Sequence, residues 1–185
     1  MSGILKVGGS ELINDNGGSG SLQWGTGVPS DTIIQVKSAT FNGYQSIGTS
    51  IDDVTNLSCS MTIASGNKVL IFANVNTGLG VDDYGAVYIT DGSNNIIYQN
   101  STGTGNQINS SIAITPYDTA SPGVYLTSNN SFNYLWTPNT TSIVVKARGQ
   151  VTYGGNMYIN GMESTANASH VIRGTSTLTI FEVQA

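Results

Sequence analysis

From Thr32 onward the chain is a succession of short apolar runs, many alternating with period two. Each is closed by a cluster of Gly, Asn, Ser and Asp, and this pattern restricts the fold more than any other feature. The runs TIIQVKSATF (32–41), NKVLIFANVN (67–76), SSIAITP (110–116), GVYLTS (123–128), FNYLWTP (132–138), SIVVKARGQV (142–151), NMYING (156–161) and STLTIFEV (176–183) have the length and the β-branched, aromatic content of strands. YGAVYITDGSNNIIYQN (84–100) holds two more around Asp91-Gly92-Ser93-Asn94, a turn sequence that predicts a hairpin. No window of a dozen residues places apolar side chains at i, i+3, i+4 and i+7 among helix formers. About eight to ten short strands without helices predict an all-β fold, an antiparallel β-sandwich, and the jelly-roll type fits that strand count best. Pro116 and Pro138 fall at the ends of runs, where an antiparallel sheet tolerates proline.

The first 30 residues differ. The short apolar run ILKV (4–7) is followed by GGSELIND and then by NDNGGSGSLQWGTGVPSD (14–31), whose glycine and serine content reads as a linker. Trp24 at its centre contradicts that, because a linker has no use for the largest apolar side chain. Ordering such a segment costs about 1–2 kcal/mol per residue in backbone entropy. Buried Trp or Leu anchors at roughly 1.5–3 kcal/mol each can offset that cost. The expected organisation is therefore an extended N-terminal attachment arm, residues 1–30, followed by the sandwich, residues 31–185. Ile4, Leu5, Val7, Leu12, Ile13, Leu22, Trp24 and Val28 are the arm's expected partner-binding residues.

Composition excludes several functions. Only 9% of residues are charged, against about 25% in an average domain, so the surface is polar but largely uncharged. A net charge of −5 leaves no basic footprint for a phosphate backbone, and no nucleic-acid partner is expected. No run approaches the roughly 18–20 apolar residues that span a bilayer, and the N-terminus lacks the pattern of a secretory signal, so a soluble product of the cytoplasm without a membrane partner is expected. The six sequons at Asn56, Asn100, Asn109, Asn129, Asn139 and Asn167 then follow from Asn, Ser and Thr content alone.

Chemistry-bearing residues are sparse. Cys59, the single cysteine, can form neither an intrachain disulfide nor a CxxC metal site, and reads as a small buried hydrophobe. The single histidine, His170, has no nucleophile or carboxylate assigned to it by sequence and reads as a loop or strand-end residue. Asp52-Asp53 and Asp82-Asp83 do not begin an EF-hand loop, since the alternating oxygens and closing glutamate are missing. GxSxG, HExxH, GxxxxGK[ST] and GxGxxG are all absent, so no catalytic residue, metal or cofactor is assigned and no enzyme is expected. Among the aromatics, Tyr88, Tyr98, Tyr125, Phe132, Tyr134, Trp136 and Phe181 lie in strand runs and read as core or sheet-face residues. Tyr44, Tyr117 and Tyr153 lie in loop-like sequence and are the candidates for a ligand surface, such as one that stacks on sugar rings.

The opening SGILKV with its short spacer, the strand TIIQVKSATF, the stretch SIGTSIDDVTNLSCSMTIASGNKVLIFANV entering a strand at Lys68-Val69-Leu70, and the terminal TLTIFEVQA together resemble small structural proteins of phages that infect marine and freshwater bacteria, including cyanobacteria. The resemblance covers most of the chain, through patterns of strand and turn. It implies a jelly-roll module of the virion, homotrimeric, serving as a capsid decoration or cement protein or as a head or tail fibre domain. It also implies partners: the chain itself, the major capsid protein or another virion protein, and, for a fibre tip, a host surface glycan or protein. The short N-terminal segment favours decoration, with localisation in the virion.

Overall fold

This computed structural model describes residues 4–7, 10–14, 23–24, 28–80, 83–99, 108–114, 126–162 and 173–185, which form thirteen strands, with inward apolar and outward polar side chains alternating most regularly in Lys68–Leu79 and Ser142–Tyr153 of the body. Three are short and N-terminal: β1 (Ile4–Val7), β2 (Ser10–Asn14) and β3 (Gln23–Trp24). The others are β4 (Ile33–Phe41), β5 (Gln45–Ile47), β6 (Asp52–Thr62), β7 (Lys68–Leu79), β8 (Tyr84–Asp91), β9 (Ile112–Ile114), β10 (Leu126–Trp136), β11 (Ser142–Tyr153), β12 (Met157–Ile159) and β13 (Ser176–Val183). No helix occurs among the described residues, and every ladder between these strands is antiparallel.

The body is an all-β, sandwich-like arrangement of two sheets. In the six-stranded sheet β7 is central, flanked on one side by β10 and on the other by β13 and β12, which continue to β4 and β5. The second sheet has the order β6-β11-β8-β9. The reason lies in the pattern of β7. Val69, Ile71, Ala73 and Val75 all point inward and are buried, so the strand can be paired on both edges while its inner face meets the other sheet. Val145, Ala147 and Val151 of β11 answer from the facing sheet, with Ile89 of β8 and Leu178 and Ile180 of β13 completing the apolar centre. Cys59 belongs to this core; burial pushes its thiol pKa up, and Sγ donates to the Leu178 carbonyl at 3.4 Å.

Strand β6 is missing from the sequence-derived runs for a structural reason. Its inward residues are Val54, then Leu57, Cys59 and Met61, so the parity changes between Val54 and Leu57. A bulge sits there: the pairing with β11 jumps from Ser58↔Lys146 to Asp53↔Arg148, and Asn56 takes a positive φ of 57°. A window that assumes strict alternation sees noise in DDVTNLSCSMT.

Two further expectations are corrected. GVYLTS and FNYLWTP, read as separate runs, are joined between Leu126 and Trp136 into one strand, because SNNS does not turn: Asn129, Asn130 and Ser131 stay in register with Asn76, Val75 and Asn74. The hairpin expected over 84–100 forms only its first strand and its turn. Asn94 donates to the Asp91 carbonyl at 3.1 Å with φ 70°, and beyond the turn the Asp91 amide donates to the Asn95 carbonyl and the Ile97 amide to the Ile89 carbonyl, both at 2.9 Å, around a bridge between Thr90 and Ile96 that does not extend into a second strand. The Ser111 hydroxyl accepts the Ile89 amide at 3.0 Å and donates to the Tyr98 carbonyl at 2.7 Å, and past it β9 takes over the edge of β8.

The N-terminal strands form a sheet of their own, β1-β2-β3, with Leu5 opposite Ile13 and Ile13 opposite Trp24. Glycine-rich sequence surrounds them, yet the backbone at 4–7, 10–14 and 23–24 is paired.

Candidate functional site

Strand registers fix which loops share an end of the body. Ser142 pairs with Thr62 and Val145 with Asp91, so the turns after β6, β8 and β10 gather at one end. Tyr153 pairs with Tyr84 at the other end of the same ladder, and Phe41 pairs with Ser176 at the corresponding end of the six-stranded sheet.

At the first end the loops 63–67, 91–97 and 137–142 line three neighbouring open depressions of about 460, 360 and 120 Å³. Asn139 lines all three, while Trp136 and Asp91 line the two smaller ones. Together they form one trough.

The trough rests on fixed supports. Trp136 ends β10 and packs against the core, so its indole is held from behind. The 63–67 wall is tied down by Glu182, which is only 3% exposed: its carboxylate accepts the Ala64 amide at 2.8 Å and the Asn67 side-chain amide at 2.6 Å, and also takes a hydrogen bond from Gln35. Asn67 in turn accepts the Ala185 amide at 3.2 Å. A buried carboxylate without a cation survives here because hydrogen-bond donors surround it.

Asp91 is preorganised in the same way. Its Oδ1 accepts the Ser93 and Asn95 amides at 2.9 and 2.8 Å, and its Oδ2 accepts the Asn95 side chain at 2.9 Å. Partial burial alone would raise its pKa, but the hydrogen bonds from Asn95 and Ser93 and the charge of Lys146 outweigh that and hold it below the usual carboxylate range. Among the described residues it is the only ionisable side chain lining the trough, whose other polar side chains are amides and hydroxyls.

The sequence-derived candidates lie elsewhere. Tyr153, 68% exposed, meets Tyr84 edge to face at 6.1 Å at the opposite end. Tyr44 is half-buried there, its ring stacked on Tyr158 at 5.8 Å, with the Arg173 guanidinium 4.4 Å from its centroid and its hydroxyl donating to the Met162 carbonyl at 3.3 Å. Tyr117, His170 and Asp82 lie outside the described residues. Of the arm residues, Ile4, Leu5, Val7, Leu12, Ile13 and Trp24 are described through their strand backbones, Leu22 lies outside the described residues, and Val28 is half-buried. Asp53 is exposed and pairs with Lys146 at 3.1 Å and Arg148 at 2.7 Å. Asp83 accepts the Gly155 amide at 2.6 Å. No group of three or more His, Cys, Asp or Glu side chains comes together among the described residues.

Sequence reasoning missed Trp136 as a site residue because its place in a strand run signalled core. It packs on the core and lines the trough at once, and only the position of the strand's last residue beside Pro138 and Asn139 hints at that double role. No family model matches the sequence, and a search of curated proteins finds no match.

Proposed function

We propose that the chain is a non-enzymatic structural protein of a phage virion, a capsid decoration or cement protein whose body is of jelly-roll type and whose residues 1–30 attach it to the major capsid protein or another virion protein. The observation that carries this reading is the pairing of β1, β2 and β3 with one another rather than with any strand of the body among the described residues. A small separate sheet rich in Ile, Leu and Trp is suited to docking by strand addition or apolar anchoring on a partner. Among the described residues, every member of the buried apolar core lies beyond residue 30. The truncated body is expected to stay folded and soluble but to be lost from particles in a sedimentation assay with purified capsids. Retained binding would sink the reading.

A homotrimer is part of the proposal and draws on the outer face of the six-stranded sheet. Val36, Phe181, Leu70 and Leu135 follow one another across β4, β13, β7 and β10, and Phe72 meets Phe181 edge to face at 5.8 Å. Phe72, Val36 and Leu135 are exposed. Exposed apolar rows of this kind mark contact surfaces. Phe72→Lys is expected to shift the sedimentation coefficient toward that of a monomer.

A second reading, a head or tail fibre protein whose tip recognises a host glycan or surface protein, is favoured by the trough at Trp136. Copy number on purified particles separates the two: hundreds for decoration, dozens or fewer for a fibre.

A further inference from the structure

We propose that the trough around Trp136 is a binding site for a neutral oligosaccharide, with one sugar ring against the indole and its hydroxyls held by Asp91, Asn139 and Thr140. Its biological meaning rests on the fibre-tip reading, but the site is argued from its own chemistry.

Its size comes first. Depressions of about 360 and 460 Å³ each fall within the range of roughly 300–1,000 Å³ typical of small-ligand sites; Asn139 borders both, and the depression of about 120 Å³ where Trp136, Asp91, Asn139 and Thr140 meet has room for the edge of one ring. The lining matches a saccharide. A sugar presents C–H groups on one face and hydroxyls around its rim; an aromatic ring takes the first, while amides, hydroxyls and a carboxylate, which donate or accept in pairs, take the second. Trp136 is the aromatic plate, and Asn139, Thr140, Ser93 and Asn95 are the amides and hydroxyls.

Charge narrows the class. Among the described residues no Lys or Arg lines the trough, while Asp91 does, so an acidic sugar, phosphate or sulfate would meet a like charge without a cation of the lining to receive it. Lys146, the nearest cation in the hydrogen-bond network, is engaged by the Asn94 side chain at 2.6 Å and by Asp53. Preorganisation completes the case: the indole is backed by the core, Asp91 is fixed by three hydrogen bonds, and the 63–67 wall is fixed through Glu182, so binding would require little new ordering.

The test uses the full chain carrying Trp24→Phe, so that Trp136 is the sole indole. It is titrated with maltotriose, cellotriose, laminaritriose, mannotriose and N,N′,N″-triacetylchitotriose, with sialyllactose as the acidic control. The Trp136 indole N–H shift and fluorescence are recorded. At least one neutral trisaccharide is expected to saturate the signal with a Kd in the millimolar range or tighter, and sialyllactose to leave it unchanged. Asn139→Ala and Thr140→Ala, at the exposed rim, are expected to weaken binding about tenfold each, the loss of roughly one hydrogen bond; Asn139→Ala should leave the melting temperature unchanged, whereas Thr140→Ala also removes the acceptor of the Ser142 amide at 3.3 Å and should lower it slightly. Tyr153→Ala at the far end is expected to change nothing. A response to none of the neutral trisaccharides, a response to sialyllactose alone, or affinity unchanged from the parent chain in both rim variants would overturn the proposal. The outcomes also separate from the receptor reading. Saccharide binding without adsorption of the chain to host cells sinks that reading and keeps the site, whereas adsorption without any trisaccharide response sinks the site and keeps the reading.

Discussion

Asn160 shows how much one polar side chain can carry at the end of the body opposite the trough. Fully buried and in the left-handed region at φ 59°, it donates to the Phe41 and Gly43 carbonyls at 2.6 and 3.0 Å and accepts the Ser176 hydroxyl at 2.6 Å. One amide thus joins the turn after β4, the start of β13 and the chain after β12. Each partner left unsatisfied in the interior costs about 1–3 kcal/mol, so Asn160→Ala is expected to lower unfolding free energy by about 3 kcal/mol or more in urea denaturation. Ser176→Ala, which strands only one of those groups directly, should cost less. Gly78 offers a steric counterpart, since a Cβ there would lie 2.1 Å from the Gly161 carbonyl oxygen. Gly154, at φ 101°, is closed in a different way, since a Cβ there would meet Asp83 Oδ1 at 1.8 Å and its Cα at 2.9 Å; Gly78→Ala and Gly154→Ser are both expected to lower the melting temperature.

At the scale of elements, what could be read in the residues was whatever alternation alone determines. NKVLIFANVN and STLTIFEV became β7 and β13 because alternate positions, Val69, Ile71, Ala73 and Val75 in one and Leu178 and Ile180 in the other, are apolar, and a one-residue slip would expose them. β6 escaped because its bulge at Asn56 changes which residues face inward, and a bulge is set by a partner strand that local sequence does not name. The second half of the expected hairpin failed because Ser111, far along the chain, outcompetes it for the Ile89 amide. Ser111→Ala removes the acceptor of the Ile89 amide. Since Ser111 also holds the Tyr98 carbonyl, the expected result is faster amide exchange at Ile89 and a modest loss of about 1 kcal/mol in stability. The trough was illegible for the same reason: its walls come from three turns that only the sandwich brings together, whereas Tyr44 and Tyr153 were visible as loop aromatics and lie at the other end.

For the whole molecule, the few charges are concentrated rather than spread. Lys146 and Arg148 sit beside Asp53 on the outer face of the second sheet. Partial burial works to raise the Asp53 pKa, but hydrogen bonds and charge from the two cations hold it below the ordinary carboxylate value. Asp91 is lowered as well. A carboxylate depressed in the folded state contributes stability that is fully present above its unfolded pKa and is lost as pH falls through the folded one. The melting temperature is therefore expected to be flat from pH 7 to about 5 and to fall below about 4, where unfolded carboxylates begin to take up protons. Asp53→Asn should flatten part of that fall, by a small amount because its side chain is more than half exposed. The single thiol supplies a clock for the whole body. Cys59 lies between the sheets, out of reach of any reagent until they part, so its modification rate in native buffer measures how often the sandwich opens. Reaction with a disulfide reagent is expected to be orders of magnitude slower than for an exposed thiol and to accelerate in Asn160→Ala by the factor that variant loses in stability. A tag meant to report position on a particle therefore belongs on the surface, leaving Cys59 to report time.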